Sequence, residues 1–496
     1  MTQDLSEIIK AYDVRGVVPD QLGPEVARAV GAAFARVVVV PEWADVSHDG
    51  ALDADRPGLV IGHDMRESGP GLVDAFAEGV TSAGVDVVRI GLCSTDGLYH
   101  ASGVLDRPGA MFTASHNPAI YNGIKLCRAG ARPVGQETGL AEVRTLAQSY
   151  LDDGLPDAAP RAGDVSDREM LAEYAAFLRG LVDISGIRPL KVVIDAGNGM
   201  GGFTAPAVLG TGAGLPELPL DLVPLYWELD GSFPNHEANP LEPANLRDLQ
   251  AAVVEHDADL GLAFDGDADR CFVVDEHGDP VSPSAITALV GLREVEKEKA
   301  RGAEHPAVIH NLITSRAVPD FLDAAGARVV RTRVGHSFIK AQMAENDAVF
   351  GGEHSAHYYF RDFFFADTGM LAALHVLAAL GSQPHPLSVV AEMYEPYTAS
   401  GEINSRVADV PAARARVVQA YVTEEGAGPV EVDELDGLTV SHWGAQPQWW
   451  FNLRASNTEP LLRLNVEAAD EDIMEKVRDD VLSLVRADEP GEPDES

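Results

Sequence analysis

Apolar residues recur along the chain in short blocks, each closed by a polar loop that contains glycine. Leu59-Val60-Ile61 reads as a buried strand broken by Gly62, and His63, Asp64, Arg66 and Ser68 follow at its end. Leu72, Phe76 and Val80 then recur every four residues, which marks one face of a helix. Gly84 ends that helix, and Val85 to Ile90 is the next strand. Strand, polar loop, helix, glycine and strand make a βαβ unit, and in such units ligands collect where strands end. The pattern returns at Lys191-Val192-Val193-Ile194-Asp195, which runs into Ala196-Gly197-Asn198-Gly199. It returns again at Ala307-Val308-Ile309-His310, with a helix through Phe321 and Leu322 that ends near Gly326, and a strand at Arg328-Val329-Val330. These three stretches read as related α/β modules whose sequences are too different to be a strict repeat.

The last part of the chain has another rhythm. An apolar helix over Asp367 to Leu380 gives way to a breaker-rich hinge at Gly381 to His385. Two strands follow, Trp449 to Leu453 and Leu461 to Val466. Ile473, Val477, Val481 and Leu484-Val485 mark a final amphipathic helix. That is an α+β unit. The expected fold class is therefore α/β: three related α/β domains over residues 1–160, 161–280 and 281–382, plus a smaller C-terminal α+β domain over 383–496. Residues Trp43 to Pro57 form an acidic loop with no evident task, and Asp488 to Ser496 is an acidic tail expected to be disordered.

The loops between these elements carry the candidate chemistry. Met111-Phe112-Thr113-Ala114-Ser115-His116-Asn117-Pro118 passes from apolar to small and polar residues and ends in proline, which disfavours helix. It offers a hydroxyl, an imidazole and an amide. A serine beside a titratable partner can be a nucleophile or a phosphate carrier, while the plainer reading is a cap for the next helix. Tyr121-Asn122-Gly123-Ile124-Lys125 adds a lone lysine, and Arg15 sits next to Gly16 near the start. Asp265-Gly266-Asp267-Ala268-Asp269-Arg270 is the strongest motif. Three alternate carboxylates on a tight loop are an oxygen-donor set for a hard divalent cation, and unpaired they would repel each other. An EF-hand loop is the natural alternative, and Glu276 even stands at its twelfth position. But the sixth position is Arg270 where a calcium loop needs glycine, and the flanks read as strands. Gly197-Asn198-Gly199 lacks the spacing of a phosphate-cradling loop and reads as a structural turn.

Further along, Arg331 to Lys340 brings several cations and His336 into a strand-to-helix turn. Glu353, Ser355 and His357 alternate after Ala348-Val349-Phe350, so in extended chain they would point to one side, where they could read sugar hydroxyls. Between the two late strands, Arg454-Ala455-Ser456-Asn457-Thr458 supplies a guanidinium, hydroxyls and an amide, a set suited to gripping phosphate.

Composition narrows the partners. The chain has 496 residues, and its formal net charge of -41 repels nucleic acid and anionic membranes. It also repels phosphorylated metabolites, so a site for one needs locally concentrated Arg, Lys or metal. The three cysteines, Cys93, Cys127 and Cys271, lie far apart and suggest neither a disulfide framework nor a zinc site. No basic segment followed by an apolar run opens the chain, and no apolar stretch reaches the length of a membrane span, so the cytoplasm is the default location. The expected partners are small molecules, and the expected state is a monomer or weak homo-oligomer.

Taken in order, these motifs resemble the α-D-phosphohexomutase superfamily, most closely its phosphomannomutase/phosphoglucomutase branch, over nearly the whole chain. The resemblance makes Ser115 the phosphoserine. It makes Asp265, Asp267 and Asp269 the Mg²⁺ loop, with Mg²⁺ also held by the serine's phosphate. Glu353, Ser355 and His357 become the sugar-specificity loop. Arg454, Ser456, Asn457 and Thr458 become the phosphate-binding loop, and Arg15, Lys125, Arg270 and His336 further active-site positions. It implies four domains around a central cleft, the fourth smaller and mobile. It also implies a reaction that moves a phosphoryl group between O1 and O6 of a hexose, through a hexose 1,6-bisphosphate that turns round before the serine takes phosphate back. Lys125 is the candidate general base or acid, with His116 as the alternative. Bacterial relatives often carry a lysine on the first strand of the third module, where this chain has His310-Asn311-Leu312-Ile313-Thr314. A metal-dependent phosphatase and a non-catalytic sugar-phosphate-binding protein are the competing readings. The first would need no distal phosphate loop, the second neither Ser115 nor Lys125. No motif separates mannose from glucose at C2.

Overall fold

The computed structural model describes residues 4–10, 12–45, 56–423, 429–455 and 461–487; the side chain of His336 also lies outside this set. Four sheets carry the chain in sequence. In the first, Gly58–His63 lies between Asp86–Leu92 and Gly109–Phe112, parallel to both, and Tyr121–Cys127 then adds antiparallel to Gly109–Phe112. The second repeats this with Leu190–Asp195 between Leu220–Leu225 and Leu260–Phe264, followed by antiparallel Cys271–Val274. The third does so with Ala307–Asn311 between Arg328–Thr332 and Phe350–Gly352, followed by antiparallel Tyr358–Phe360. The three α/β modules thus share one strand plan: a parallel trio, then a hairpin back.

Local chemistry explains where the elements stop. The helix Gly69–Ser82 buries Leu72, Phe76 and Val80, and Gly84 takes φ +82 just beyond it, where a side chain would strain the backbone. The apolar helix expected from Asp367 begins at Gly369 instead, because the Thr368 hydroxyl accepts the Leu371 N–H as its cap and Asp367 pairs in a short strand. Asn198 (φ +59) binds the Glu228 carbonyl and the Asn235 amide, so the Gly-Asn-Gly segment is a turn bonded within its own module.

The fourth sheet is wholly antiparallel, in the order Thr398–Arg406, Leu461–Ala468, Trp449–Ala455, Leu438–Ser441, Glu431–Asp433. Helices Val410–Val418 and Glu471–Val485 cover it and close a separate core around Phe451, Leu464 and Val481. One continuous core, by contrast, joins the second and third modules. The helix Leu387–Glu392, beyond the expected hinge, still packs in that core, and the chain enters the fourth sheet at Thr398. No described helix is long and apolar enough to cross a membrane.

Candidate active site

Each α/β module sends the loop between its third and fourth strands to the same place. These loops leave the carboxyl end of the last parallel strand, where an α/β sheet opens a crevice. They contain Ser115, the Asp265–Asp269 acids and Glu353 respectively.

In the first loop Ser115 is buried and has φ +50, a left-handed conformation that costs a non-glycine residue. Its N–H is held by the Thr113 hydroxyl at 2.8 Å. Its own hydroxyl has two acceptors in reach, Asp265 Oδ2 at 2.9 Å and His116 Nδ1 at 3.1 Å. Arg270 frames the group: Nε donates to Asp265 Oδ2 at 2.8 Å, and one Nη reaches Ser115 Oγ at 3.4 Å and also contacts His116 Nδ1. Burial and the Arg270 charge hold His116 well below the usual imidazole range, so the ring is a neutral acceptor. Arg15 reaches this loop through Asn117 Oδ1 at 2.5 Å and is itself tied to Asp13.

The acid loop is fully buried. Its backbone crosses directly over the serine loop at Gly266, where an added Cβ would lie 2.3 Å from the Ser115 carbonyl oxygen; only glycine fits. Lys125 Nζ lies between Asp267 Oδ2 (2.7 Å) and Asp269 Oδ2 (2.6 Å). Burial and mutual repulsion work against ionising Asp267, but the Lys125 ammonium and the Thr95 hydroxyl outweigh them and hold its carboxyl below the ordinary range. Those two acids in turn keep the Lys125 ammonium charged against the pull of burial. Asp265, by contrast, is pushed up to about 7, burial outweighing its contact with Arg270.

Whether these residues suit a divalent cation is answered by their unpaired oxygens. Asp265, Asp267 and Asp269 bring one oxygen each within 4.8 Å of one another. Asp267 Oδ1 and Asp269 Oδ1 are buried with no hydrogen-bond partner. A buried, unpartnered carboxylate oxygen is costly, and three hard oxygen donors gathered this closely fit Mg²⁺ well.

The third loop corrects one expectation. Glu353, Ser355 and His357 do not alternate along extended chain. Glu353 N–H binds the His357 carbonyl at 3.0 Å, Ala356 N–H binds the Glu353 carbonyl at 3.1 Å, and Ala356 takes φ +63, so the segment is a tight turn. The turn still gathers the three side chains. Ser355 Oγ is 3.1 Å from His357 Nδ1, and His357 lies 3.5 Å from Glu353 Oε2 and 3.6 Å from Asp269 Oδ1. His357 also forms a backbone bridge with Arg270, which fastens the sugar loop to the acid loop. Glu353 is buried and receives Tyr359 OH at 2.7 Å, Gly335 N–H at 3.2 Å and Asn311 Nδ2 at 3.3 Å. His310, where relatives often carry lysine, turns instead to Thr314 Oγ1 at 2.6 Å and lines a crevice of about 300 Å³ with Arg316, Arg331 and Trp450.

Arg454 belongs to a separate wall. It lines a cavity of about 550 Å³ with Tyr12, Arg333, Phe338, Asp436 and Arg463. Its guanidinium binds Glu402 at 2.8 Å, and Arg463 binds the other oxygen of the same carboxylate at 3.2 Å. Ser456, Asn457 and Thr458 lie outside the described residues, as does the side chain of His336.

Several residues not singled out in the sequence belong to the site. Thr95, at the start of the helix Thr95–Leu105, donates its hydroxyl to Asp267 Oδ2 at 2.6 Å and its N–H to the Asp267 carbonyl at 3.0 Å. The preceding Ser94 is a recognisable helix cap, but nothing local to it points to an acid elsewhere in the chain. Buried Lys340 pairs with Asp367 at 2.6 Å beneath the ring of Tyr99, joining the third module to the first. Asp96 accepts hydroxyls from Ser94, Tyr174 (2.7 Å) and Thr368 (2.6 Å), one from each of the three modules.

Comparison with known proteins agrees with this architecture along the whole chain. Family models of phosphoglucomutase/phosphomannomutase match as α/β/α domain I over residues 6–151, domain II over 172–278, domain III over 282–397 and the C-terminal domain over 402–484. A phosphohexose mutase of Xanthomonas campestris pv. campestris is 38% identical over 482 residues, 96% of this chain and 98% of the relative. A phosphomannomutase of Escherichia coli K12 is 38% identical over 479 residues, with the same coverage of each chain. Among solved structures, a phosphoglucomutase/phosphomannomutase family protein of Burkholderia thailandensis superimposes with a TM-score of 0.82 at 28% identity, covering 98% of this chain and 99% of its own. The chain thus belongs to the phosphoglucomutase/phosphomannomutase family, whose members are mutases, a class of isomerase.

Proposed function

We propose that the chain interconverts hexose 1-phosphate and hexose 6-phosphate, with mannose and glucose phosphates as substrates, through phosphorylated Ser115 and a hexose 1,6-bisphosphate. The observation that carries this reading is the Ser115 hydroxyl held by Asp265, His116 and Arg270; a separate cavity lined by cationic Arg333, Arg454 and Arg463 offers a second anion grip. A hydrolase has no use for a second phosphate grip; a mutase must hold the phosphate that is not reacting. The reading keeps four functional units: 1–160 with the serine, 161–280 with the acids, 281–382 with the sugar loop and 383–496 with the distal grip.

The residues divide the work as follows. A sugar hydroxyl attacks the phosphorus on Ser115, its oxygen–phosphorus bond forming as the Ser115 Oγ–phosphorus bond breaks. The sugar hydroxyl proton passes to the neutral His116 imidazole, and Lys125, held as an ammonium by Asp267 and Asp269, is the candidate acid that returns a proton to the Ser115 oxygen. Arg270, with one Nη 3.4 Å from Oγ, stabilises the charge shared among the phosphoryl oxygens, and Arg15 steadies the loop through Asn117. Asp265, Asp267 and Asp269, with the serine's phosphate, would hold Mg²⁺, which offsets the about -1.5 to -2 charges of that phosphate. Glu353 and His357 grip sugar hydroxyls, with Ser355 and His336 as further members of the proposed substrate-binding set. Arg454, with Ser456, Asn457 and Thr458, anchors the distal phosphate in both orientations of the bisphosphate.

Intact-mass and phosphopeptide measurements on the purified protein test this. Phosphate on Ser115 that moves to hexose monophosphate without release of inorganic phosphate is the expected result. Release of inorganic phosphate at the rate of dephosphorylation would make the protein a phosphatase, and no phosphate on Ser115 after incubation with glucose 1,6-bisphosphate would end the proposal.

A further inference from the structure

Arg66 stands three residues beyond the strand Gly58–His63, just before a turn, and is 2% exposed. A guanidinium has five N–H donors, and each of these has an acceptor. Nε binds Asp64 Oδ2 at 3.2 Å. One Nη binds the carbonyls of Pro118 (3.0 Å) and Tyr121 (2.9 Å). The other binds the carbonyls of Ser115 (3.0 Å) and Asn117 (2.7 Å). Asp64 also takes the Arg66 backbone N–H at 2.9 Å, and the ring of Phe233, from the second module, lies 5.2 Å from the guanidinium carbon.

Four carbonyls within seven residues therefore converge on one rigid planar fork. A loop folded with its carbonyls inward must present other groups outward, and Ser115 and His116 are the side chains it presents to Asp265 and Arg270. The bond to the Ser115 carbonyl falls on the residue with φ +50 and on the oxygen that Gly266 crosses. Left-handed backbone at a serine costs free energy and persists only where surrounding contacts over-determine it. The Arg66 fork and the Thr113 hydroxyl are those contacts.

We propose that Arg66 is a positioning residue for phosphoryl transfer: it touches no reacting atom, and it fixes the Ser115 loop in the one conformation that aims Oγ at the acid loop. This inference rests on Ser115 as the phosphate carrier. Lysine could not replace the arginine, because an ammonium on a flexible stem cannot span four carbonyls. Displacements of about 1 Å at a reacting atom cost on the order of a hundredfold in rate.

The test compares Arg66→Lys with wild type in four measurements: kcat, KM, melting midpoint and the rate of Ser115 phosphorylation by glucose 1,6-bisphosphate. In that last step the Oγ–phosphorus bond forms, a sugar oxygen–phosphorus bond breaks and the serine proton goes to the sugar oxygen. The expected result is a fall in kcat of about tenfold to a hundredfold, an equal slowing of Ser115 phosphorylation and KM within about twofold, in protein still folded at the assay temperature. A merely structural role would lower the melting midpoint and leave the folded enzyme's kcat intact, and that outcome overturns the proposal. If Arg66→Lys yields no folded protein, Asp64→Asn carries the test, since it keeps the guanidinium but weakens its anchor at Nε. A kcat lowered about threefold with unchanged KM supports the role, and a wild-type kcat overturns it. Ser115→Ala is run in parallel. If it keeps turnover, the carrier reading itself fails; if it is inactive while Arg66→Lys turns over normally, only the inference about Arg66 fails.

Discussion

The floor of the cleft and its fourth-domain wall are built on opposite principles. The floor is made by three loops that occupy the same position in three copies of one strand plan, and it is fastened across module boundaries by buried groups. Thr95 holds Asp267, Lys125 spans Asp267 and Asp269, Asp96 gathers hydroxyls from three modules, and His357 touches both Glu353 and Asp269. The wall has its own core and, among the described residues, meets the third module through polar ties and the ring contact of Tyr397 with Trp443. Arg316 N–H binds Glu467 at 2.8 Å, Val334 N–H binds Asp436 at 3.2 Å, and Arg331 pairs with Asp433. Phosphoryl transfer gains from donors fixed before the reaction, which the floor supplies. Under the proposed function, holding a bisphosphate in either of two orientations would require charge without a single rigid fit, and Arg454 and Arg463 are the cations on the wall suited to that. Substitutions in the floor should therefore act on turnover, and substitutions in the wall on substrate retention.

The sharpest break of this contrast lies at the carrier. Ser115→Ala should lower kcat by on the order of a thousandfold or more, as loss of a nucleophile does. Turnover is measured with bisphosphate activator present, and folding is checked by circular dichroism; near-wild-type kcat would remove Ser115 from the mechanism. The next largest effect should come from Thr95→Val, an isosteric change that takes away one donor from buried Asp267. Partners that orient metal ligands are typically worth about tenfold to a hundredfold in metal affinity or activity. Titrating EDTA-treated enzyme with Mg²⁺ should show activation shifted to higher concentration by about that factor. An unchanged titration would mean that the helix beginning at Thr95 does not support the acid loop.

The sequence made the floor legible because each part of its chemistry is packed into one short peptide: Thr113 to Pro118, Asp265 to Arg270, Glu353 to His357. Strand and helix periodicity also placed those peptides on loops between apolar runs, where the sheets put them. What holds the loops together was not legible. Thr95 and Asp267 are separated by 172 residues, and Asp96 and Thr368 by 272, distances over which one sequence carries no pairing signal. The alternation at Glu353, Ser355 and His357 misled for a different reason: period-two geometry applies only to extended chain, and Ala356 with φ +63 folds the segment back. Arg66 was visible beside Asp64, but its four carbonyl partners are backbone atoms, which leave no residue-type signature.

The wall supplies the complementary test. Arg454 is tied to Glu402, and a phosphate would have to compete for that guanidinium. A charge-assisted contact is worth about 1.5–3 kcal/mol, so Arg454→Ala should cost about tenfold to a hundredfold in kcat/KM. The loss should fall mainly on KM if the grip is equal in ground and transition states. Free glucose 1,6-bisphosphate, assayed in the same reactions, should rise, because the intermediate must be held while it turns. A fall in kcat with unchanged KM and no leakage would place Arg454 with the floor and erase the contrast.

The smallest effect should come from the seam itself. Asp436 is half-buried, lines the cavity beside Arg454 and Arg463, and accepts the Val334 N–H of the third module. One such bond at a partly solvated position contributes about 1 kcal/mol, or roughly fivefold. Asp436→Ala should therefore raise KM by up to about fivefold and leave kcat within about twofold. The melting midpoint should scarcely move, because each side of the seam keeps its own apolar core. Steady-state kinetics and a thermal melt on one preparation decide the matter. If the variant instead loses kcat a hundredfold, or melts many degrees lower, the fourth domain is joined to the floor as tightly as the three modules are joined to one another.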